Sequence, residues 1–184
     1  MNQIIDTILA RRSVRDFSGR QIEDKDIEMI LKCALNAPSA CNMQSWHFTV
    51  IQNPDMIVYL NDTALINMAK SDNEFFRSFG ENCPDLIYGA PTLILVSGCR
   101  ECINPLTDCA AAAQNMLICA QSLGLATLWN GFIRFAFETK EARQKAKIPE
   151  GYDTYYGIAV GYAKEGFIPM DKEIIRDGVV DYIK

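Results

Sequence analysis

The segment Ala10-Arg-Arg-Ser-Val-Arg-Asp-Phe-Ser-Gly-Arg20 carries four of the nine arginines of the chain within eleven residues. A short apolar stretch precedes it, and its large side chains recur at helical spacing at Ile4, Ile5, Ile8 and Leu9. This pattern predicts a first helix over residues 2–9, with the arginines placed where that helix ends. Such a density of guanidinium groups predicts an anionic partner.

The arginines also alternate in a way that a ligand could use. In an extended backbone Arg11, Ser13 and Arg15 share one side, and Arg12 lies on the other. Guanidinium groups and a hydroxyl on one side suit a phosphate together with the polar edge of a ligand. A solvated basic turn, paired with nearby acidic residues, is the competing interpretation.

Length and composition indicate one folded domain over residues 1–184, with an extended arm at about 163–184. The 49% hydrophobic content is enough for a substantial core. No run approaches the ~18 apolar residues of a membrane span, and the start lacks a basic region followed by an apolar one. We therefore expect a cytoplasmic protein without membrane contact. The net charge of -5 argues against nucleic acid as a partner.

Seven cysteines in a chain of this kind are expected to be reduced thiols, since an odd number cannot all pair within one chain. Cys33, Cys109 and Cys119 lie on apolar helical faces, which predicts small core residues. Cys99-Arg-Glu-Cys102 has the spacing of a redox or metal-ligand pair. No second such pair exists, and the only histidine, His47, is distant in sequence, so no metal site is expected.

The first half of the chain predicts a helix, a loop and a strand in turn. A helix over 21–35 carries one apolar stripe and acidic residues in its first turn. The loop over 37–46 is rich in small polar side chains, which suit the edge of a heteroaromatic ring. An ordinary connection from helix to strand is the competing interpretation. The strand follows over 46–51.

The next stretch predicts a capped helix and then a connection. Asn53 as cap and Pro54 at the first helical position open a helix that runs to about residue 70. Residues 71–85 are polar and contain three phenylalanines, which we interpret as a mobile flap over a site. The three aromatic residues are Phe75, Phe76 and Phe79.

The second half predicts three strands around a long central helix. The apolar run at 91–97 predicts a central strand buried on both faces. The helix is expected to pack on the sheet with one face and on another subunit with the other. The predicted bounds are 105–123 for this helix, ended by Gly124, 126–131 and 155–161 for the other strands, 138–145 for a short helix, and 178–183 for a last stretch of strand character.

Four pieces of sequence, taken in this order, carry a family resemblance. They are Arg11-Arg-Ser-Val-Arg-Asp-Phe17, Ala37-Pro-Ser-Ala-Cys-Asn-Met-Gln-Ser-Trp-His-Phe48, Gly89-Ala-Pro-Thr92, and the long helix from Asp108 leading to Trp129-Asn-Gly131. Each piece is loose alone, but their order and spacing together are specific. The chain resembles the FMN-dependent nitroreductase family over nearly its whole length.

The resemblance implies an α+β fold in which a mixed four-stranded sheet lies between helices. It also implies an obligate homodimer with FMN at the subunit interface. We further expect the C-terminal strand to be exchanged between subunits, where it would cover the edge of the partner's sheet.

Site residues are carried over from the resemblance position by position. Arg11, Arg12 and Ser13 are implied phosphate and ribityl contacts, and Arg15 is the cation at the pyrimidine edge of the flavin. The partner subunit is expected to supply a second group, consisting of Pro38, Ser39, Ala40 and Asn42.

The remaining positions are implied less directly. Asn130 and Gly131 correspond to a strand end beside the reactive edge of the flavin, and Trp129 contributes to a slot for the ring. Asn67 and Lys70 lie at a spacing that the family uses near the flavin. Lys172 is the expected C-terminal phosphate contact, with Arg176 as a weaker candidate.

The implied activity is transfer of electrons from NADH or NADPH through FMN to a nitroaromatic, a quinone or another flat acceptor. No catalytic side chain is obligatory, because the cofactor carries the chemistry and Arg15, Asn130 and Gly131 tune it. Three alternatives stay open: a specialised relative such as a reductive dehalogenase or enoyl-type reductase, a non-catalytic flavin-binding protein, and a thiol redox module at Cys99 and Cys102. A Rossmann nucleotide site fits worse, since the chain has no GxGxxG.

Overall fold

The structure, a computed structural model, describes residues 2–170, 173–174 and 178–184. Helices in this part of the chain are α1 (Gln3–Ala10), α2 (Asp24–Leu35), α3 (Pro54–Met68), α4 (Glu74–Asn82), α5 (Pro105–Ser122) and α6 (Lys140–Lys145). Strands are β1 (Trp46–Ile51), β2 (Thr92–Cys99), β3 (Ala126–Asn130) and β4 (Tyr152–Gly161). Short 3-10 helices cover Ala40–Asn42 and Phe132–Glu138.

The four strands form one sheet in the order β1-β2-β4-β3, and each neighbouring pair is antiparallel. The predicted α+β class and four-stranded sheet are confirmed, and β1 has the predicted bounds. The parallel pairing expected of a mixed sheet is limited, in the described residues, to an isolated bridge between Ser13 and Thr127. The arginine-containing segment therefore lies alongside β3 at one edge of the sheet.

Helices cover both faces of the sheet, and β2 is buried between them as predicted. Leu93 and Leu95 face the layer that contains α3. Ile94 and Val96 face the opposite layer, formed by α2 and α5. All four are fully buried, because a central strand with helices on both faces presents every side chain to a core.

The long helix α5 packs on the sheet through small side chains. Ala112, Ala113 and Met116 are fully buried, and Gly124 follows the helix with φ +75°, the left-handed conformation of a helix stop. Cys109 and Cys119 are buried as predicted, and Cys33 is half-buried. Among the described residues no helix is both long and apolar enough to cross a membrane.

Asparagine caps open both α3 and α4. Asn53 accepts a hydrogen bond from the Met56 N–H at 2.9 Å and Pro54 begins the helix, which confirms that prediction. Asn73 similarly accepts from the N–H groups of Phe75 and Phe76. The short helix predicted over about 138–145 is confirmed as α6, which begins two residues later and follows a 3-10 helix, Phe132–Glu138, that was not predicted.

The interpretation of residues 71–85 as a polar flap is wrong for most of that stretch. It contains α4, whose Phe76 and Phe79 pack against the core next to α3. Gly80 permits this packing, because a Cβ there would lie only 2.5 Å from the Ala69 backbone nitrogen. Because polar and aromatic residues are mixed in this stretch, its sequence was not interpreted as a helix. The structure shows a helix with one aromatic face.

The C-terminal region carries no strand in its described part. Val179, Val180, Tyr182 and Ile183 are exposed, and residues 178–184 pair with no strand of the same chain. Exchange of this segment with a partner stays a prediction. The expected phosphate contacts Lys172 and Arg176 lie outside the described residues.

Candidate active site at the β3 edge

The first half of the site is the arginine segment, defined as residues 11–17. Its backbone is extended and held by two hydrogen bonds, from the Val14 N–H to the Thr127 carbonyl at 2.9 Å and from the Phe17 N–H to the Tyr88 carbonyl at 3.1 Å. Val14 and Phe17 are buried and anchor the segment in the core. The predicted extended conformation is confirmed.

No carboxylate of the described residues neutralises the guanidinium groups of this segment. Arg12 donates to the carbonyls of Leu9, at 2.7 Å, and of Arg11, at 2.9 Å, and so folds against the end of α1. Within the described residues, neither these two arginines nor Arg15 forms an ion pair with a carboxylate. A cluster of cations without bound carboxylates is suited to an external anion.

A cavity of about 340 Å³ opens beside the segment. Its walls combine one cation with aromatic side chains and the end of β3. They include Arg15, Tyr88, Trp129, Asn130, Gly131 and Phe132. The structure thus brings together Arg15 and the three strand-end positions that the sequence analysis had grouped around a ring.

Tyr88 is a cavity residue that the sequence analysis missed. Its hydroxyl is hydrogen-bonded to Arg15, and its pKa is raised, chiefly by burial. Its backbone has φ +57°, an uncommon conformation for a residue other than glycine. Asp85 stabilises this turn by accepting from the N–H groups of Ile87 and Gly89, both at 2.7 Å. The pair Tyr88-Gly89 was the available sequence signal for a turn.

Asn130 fixes the backbone of the cavity wall with its side chain. The amide donates to the Leu86 carbonyl at 2.6 Å, and the side-chain oxygen accepts from the N–H groups of Phe132 and Ile133. Because these bonds occupy the side chain, we assign Asn130 a positioning role. Gly131 then presents its backbone to the cavity without a Cβ.

Several predicted positions do not line this cavity, namely Arg11, Arg12 and Ser13 of the arginine segment and the more distant Asn67 and Lys70. The Asn67 amide donates to the Phe135 carbonyl at 2.9 Å and so holds the 3-10 helix Phe132–Glu138 against α3. Lys70 is exposed and lies just beyond the end of α3. The structure gives Asn67 a scaffolding contact one layer behind the cavity wall.

The second half of the site is the entry loop, defined as residues 37–45, which leads into β1. It contains the predicted contacts Pro38, Ser39, Ala40 and Asn42. Cys41, Asn42 and Gln44 all have positive φ. The Ser39 hydroxyl stabilises this strained course by accepting from the Gln44 N–H at 3.0 Å.

Asp108, in the first turns of α5, anchors the entry loop through hydrogen bonds. Its carboxylate accepts from the Ala40 N–H at 2.9 Å and from the Ser45 hydroxyl at 2.8 Å. Both Asp108 and Ser45 are buried. The sequence analysis missed this role, although an acidic residue on the buried face of an apolar helix was the signal.

The two halves lie at opposite edges of the sheet. The arginine segment runs beside β3, whereas the entry loop leads into β1. β1 and β3 are three strand spacings apart, and the arginine segment adds a fourth, which gives about 19 Å at ~4.8 Å per spacing. Within one chain the sheet therefore separates the arginine segment from β1.

Comparison with known proteins agrees with this geometry. The model of the nitroreductase family matches residues 8–162. A protein of Archaeoglobus fulgidus described as a putative NADH dehydrogenase/NAD(P)H nitroreductase is 34% identical over 175 residues, which cover 90% of this chain and 88% of the relative.

Solved structures show the same fold. A Bacteroides fragilis nitroreductase with bound FMN superposes with a TM-score of 0.91 at 32% identity, covering all of both chains. A Desulfitobacterium hafniense nitroreductase with bound FMN gives 0.89 at 27% identity, again covering all of both chains. Because the family model spans both halves of the site and the helices between them, the chain belongs to the nitroreductase family.

Proposed function

We propose that this protein is an FMN-dependent oxidoreductase that takes electrons from NADH or NADPH and passes them to a flat acceptor such as a nitroaromatic or a quinone. The observation that carries the proposal is the cavity at the β3 edge, where Arg15 meets the end of β3; two further arginines of the same segment have no carboxylate partner among the described residues. The FMN-bound relatives support the choice of cofactor.

The residues present fit FMN by their chemistry. A phosphate dianion needs cations, which Arg11 and Arg12 supply, and Ser13 adds a hydroxyl for the ribityl chain. Arg15 and the Gly131 backbone offer polar groups to the edge of a ring, and Trp129 and Phe132 offer apolar contact. When bound, FMN supplies the two-electron chemistry, while the protein binds, orients and tunes it.

We further propose that the complete site forms between two copies of the chain, with the partner's entry loop closing over the arginine segment. Helix α1 supports this, because none of its residues is buried and its apolar face is exposed in a single chain. An apolar groove of about 830 Å³ lies between α1, α2 and α5. Its apolar wall includes Ile4, Ile8, Met29 and Ile118, and a second chain would cover it.

The C-terminal arm, about residues 163–184, is proposed to strengthen this dimer. Seven large apolar side chains in its described part are at least 60% exposed, including Ile168, Met170 and Ile183. Truncation after Pro169 should weaken dimerisation and accelerate loss of FMN, measured by light scattering and flavin fluorescence. A truncated chain that stays dimeric and retains its flavin would refute the role of the arm.

The direct test of the activity is spectroscopic and kinetic. Purified protein should show the absorption of a bound flavin, and denaturation should release FMN rather than FAD. Anaerobic mixing with NADH or NADPH should bleach this absorption, and nitroaromatic or quinone acceptors should restore it. Colourless protein that does not take up added FMN would contradict the proposal. If NADH or NADPH bleached the absorption but no acceptor restored it, the protein would bind a reducible flavin without the proposed electron transfer to an acceptor.

A complementation experiment tests whether the site is shared. Arg11→Gln impairs the arginine segment and Asn42→Ala impairs the entry loop. A heterodimer with one change in each chain retains one intact site if the site is shared between chains. The control carries both changes in one chain and none in the other, which leaves no intact shared site. Activity in the control rather than in the first heterodimer would place the whole site within one chain.

A further inference from the structure

The turn that follows β2 brings together two cysteines that the proposed site does not use. Cys99 is the last residue of β2, and the Cys102 N–H donates to the Cys99 carbonyl at 3.2 Å. Such a hydrogen bond closes a four-residue turn, in which the first and last Cα atoms lie within about 7 Å. A disulfide requires a Cα separation of about 4.4 to 6.8 Å. The turn therefore holds the two residues near bonding distance.

The side chains also meet. The two thiols are close enough to influence each other's titration, and both residues are partly exposed. In the described part of the chain, no group of histidine, cysteine and acidic residues has the arrangement of a metal site. The CxxC pair is thus neither buried packing nor part of a recognisable metal centre.

Backbone contacts fix the turn from both sides. The Cys99 N–H donates to the Ser45 carbonyl at 2.9 Å, and the Arg100 N–H donates to the Gly151 carbonyl at 2.9 Å. These bonds tie the turn to the starts of β1 and β4. Because the turn is already folded, joining the two sulfur atoms costs little further chain ordering.

We propose that Cys99 and Cys102 form a reactive dithiol that is reversibly oxidised to an intramolecular disulfide by low-molecular-weight disulfides of the glutathione type. This is a modification site separate from the flavin chemistry, and it does not depend on the proposed oxidoreductase activity.

The exchange proceeds in two balanced steps. The Cys99 thiolate attacks one sulfur of the small disulfide, whose S–S bond breaks, and the first small thiolate leaves and takes up a proton. Cys102 then loses its proton to solvent and attacks the Cys99 sulfur, which releases the second small thiol. The protein loses two electrons and two protons, and the small disulfide becomes two thiols.

The same exchange can also begin at Cys102, because both residues are partly exposed. Desolvation and the neighbouring Cys99 thiol raise the pKa of Cys102. Whichever thiol attacks first, the other acts as the resolving thiol, so the two single variants are expected to behave alike.

Cys33 and Cys119 provide a matched control pair. They line the same groove, Cys33 from α2 and Cys119 from α5, but burial raises the pKa of Cys119 to about 12. A thiol with such a pKa is almost entirely protonated at neutral pH, and only the thiolate reacts. We expect this second pair to stay reduced under the same conditions.

The experiment uses the full chain with Cys41→Ser, because Cys41 is exposed and would add a mixed disulfide of its own. Protein is incubated with oxidised glutathione, quenched in acid and analysed by intact mass and peptide mapping. The expected result is loss of two hydrogen atoms, mapped to the peptide that contains Cys99 and Cys102 and reversed by dithiothreitol. A disulfide that maps to Cys33 and Cys119, or no disulfide at all, would overturn the proposal.

Single variants test the mechanism. Cys102→Ser and Cys99→Ser should each stop at the first step and gain one glutathione on the remaining cysteine of the turn. Cys33→Ser should still form the disulfide at the turn. Circular dichroism checks that each variant is folded. If neither single variant of the turn gained glutathione, exchange through a mixed disulfide at this turn would be refuted.

Discussion

The arginine segment and the entry loop are the two halves of the proposed site, and the protein holds them in different ways. The arginine segment is fixed by its own backbone, which bonds to Thr127 and Tyr88, and by two buried side chains. The entry loop depends on one buried carboxylate, Asp108, and includes three residues with positive φ. Consequently the arginines can change without unfolding their segment, while the loop is sensitive to a single residue that is distant in sequence.

Asp108→Ala should produce the largest effect. It leaves the Ala40 N–H and the buried Ser45 hydroxyl without their acceptor. Hydrogen bonds to a charged group contribute about 1.5 to 3 kcal/mol each, so we expect the loss of both to lower the free energy of unfolding by about 3 to 6 kcal/mol. Urea unfolding at a fixed protein concentration measures this change, and the affinity for FMN should fall with it.

Asp108→Asn is the matched control. The asparagine retains an oxygen for the Ala40 N–H and presents an amide to the Ser45 hydroxyl, which can also accept a hydrogen bond. This variant should recover most of the lost stability. If Asp108→Ala were as stable as the unchanged protein, the loop would not depend on this carboxylate.

The contrast between the halves also explains what sequence alone could predict. The arginine segment, β1 and the start of α3 follow local rules of alternation and capping, and the structure confirms them. The support from Asp108 spans 68 positions to Ala40 in sequence. Local patterns cannot indicate such a partner, although they can show that a carboxylate lies on an apolar face.

Other misses have similar causes. α4 was missed because its aromatic residues meet α3 through Gly80, a contact made only in the folded chain. The sequence placed Asn130 at a strand end beside the flavin but could not indicate that its side chain bonds to the Leu86 carbonyl and to the turn after β3. The structure shows no strand at residues 178–184, and exchange of this segment with a partner stays a prediction.

Arg15→Gln should have an intermediate effect that is electronic rather than structural. A cation beside the ring edge that gains negative charge on reduction favours the reduced cofactor. Two unit charges 4 Å apart at an effective dielectric of 20 interact by about 4 kcal/mol, before desolvation and relaxation. We expect a net loss of ~1 to 2 kcal/mol, which lowers the two-electron potential of bound FMN by roughly 20 to 45 mV.

Arg11→Gln is the comparison within the same segment. It should mainly weaken FMN binding, because we assign Arg11 to the phosphate, and it should leave the potential nearly unchanged. Redox titration and fluorescence titration of FMN separate the two quantities. An unchanged potential in Arg15→Gln, together with a collapse of FMN affinity, would make Arg15 a phosphate contact instead.

The smallest expected effect is that of a glycine substitution on the free energy of unfolding. It should be stabilising in the entry loop and destabilising in the arginine segment. Gln44 has φ +48° and is exposed, with a side-chain hydrogen bond only to Asn42 at 3.3 Å. The left-handed conformation costs a side-chain-bearing residue roughly 1 to 2 kcal/mol, and glycine avoids that cost. Glycine also loses more chain entropy on folding, by roughly 0.5 to 1 kcal/mol. Gln44→Gly should therefore stabilise the protein by about 0.5 kcal/mol.

Ser13→Gly tests the same substitution in the arginine segment. Ser13 lies in the extended bridge to Thr127 and has no positive φ, so glycine brings only its entropic cost and should destabilise the protein by roughly 0.5 to 1 kcal/mol. Urea unfolding of both variants measures the difference in their free energies of unfolding. The comparison uses one common value for the slope of that free energy against urea concentration. If both substitutions destabilised the protein to the same extent, the backbone at Gln44 would carry no strain. The entry loop would then be held as regularly as the arginine segment.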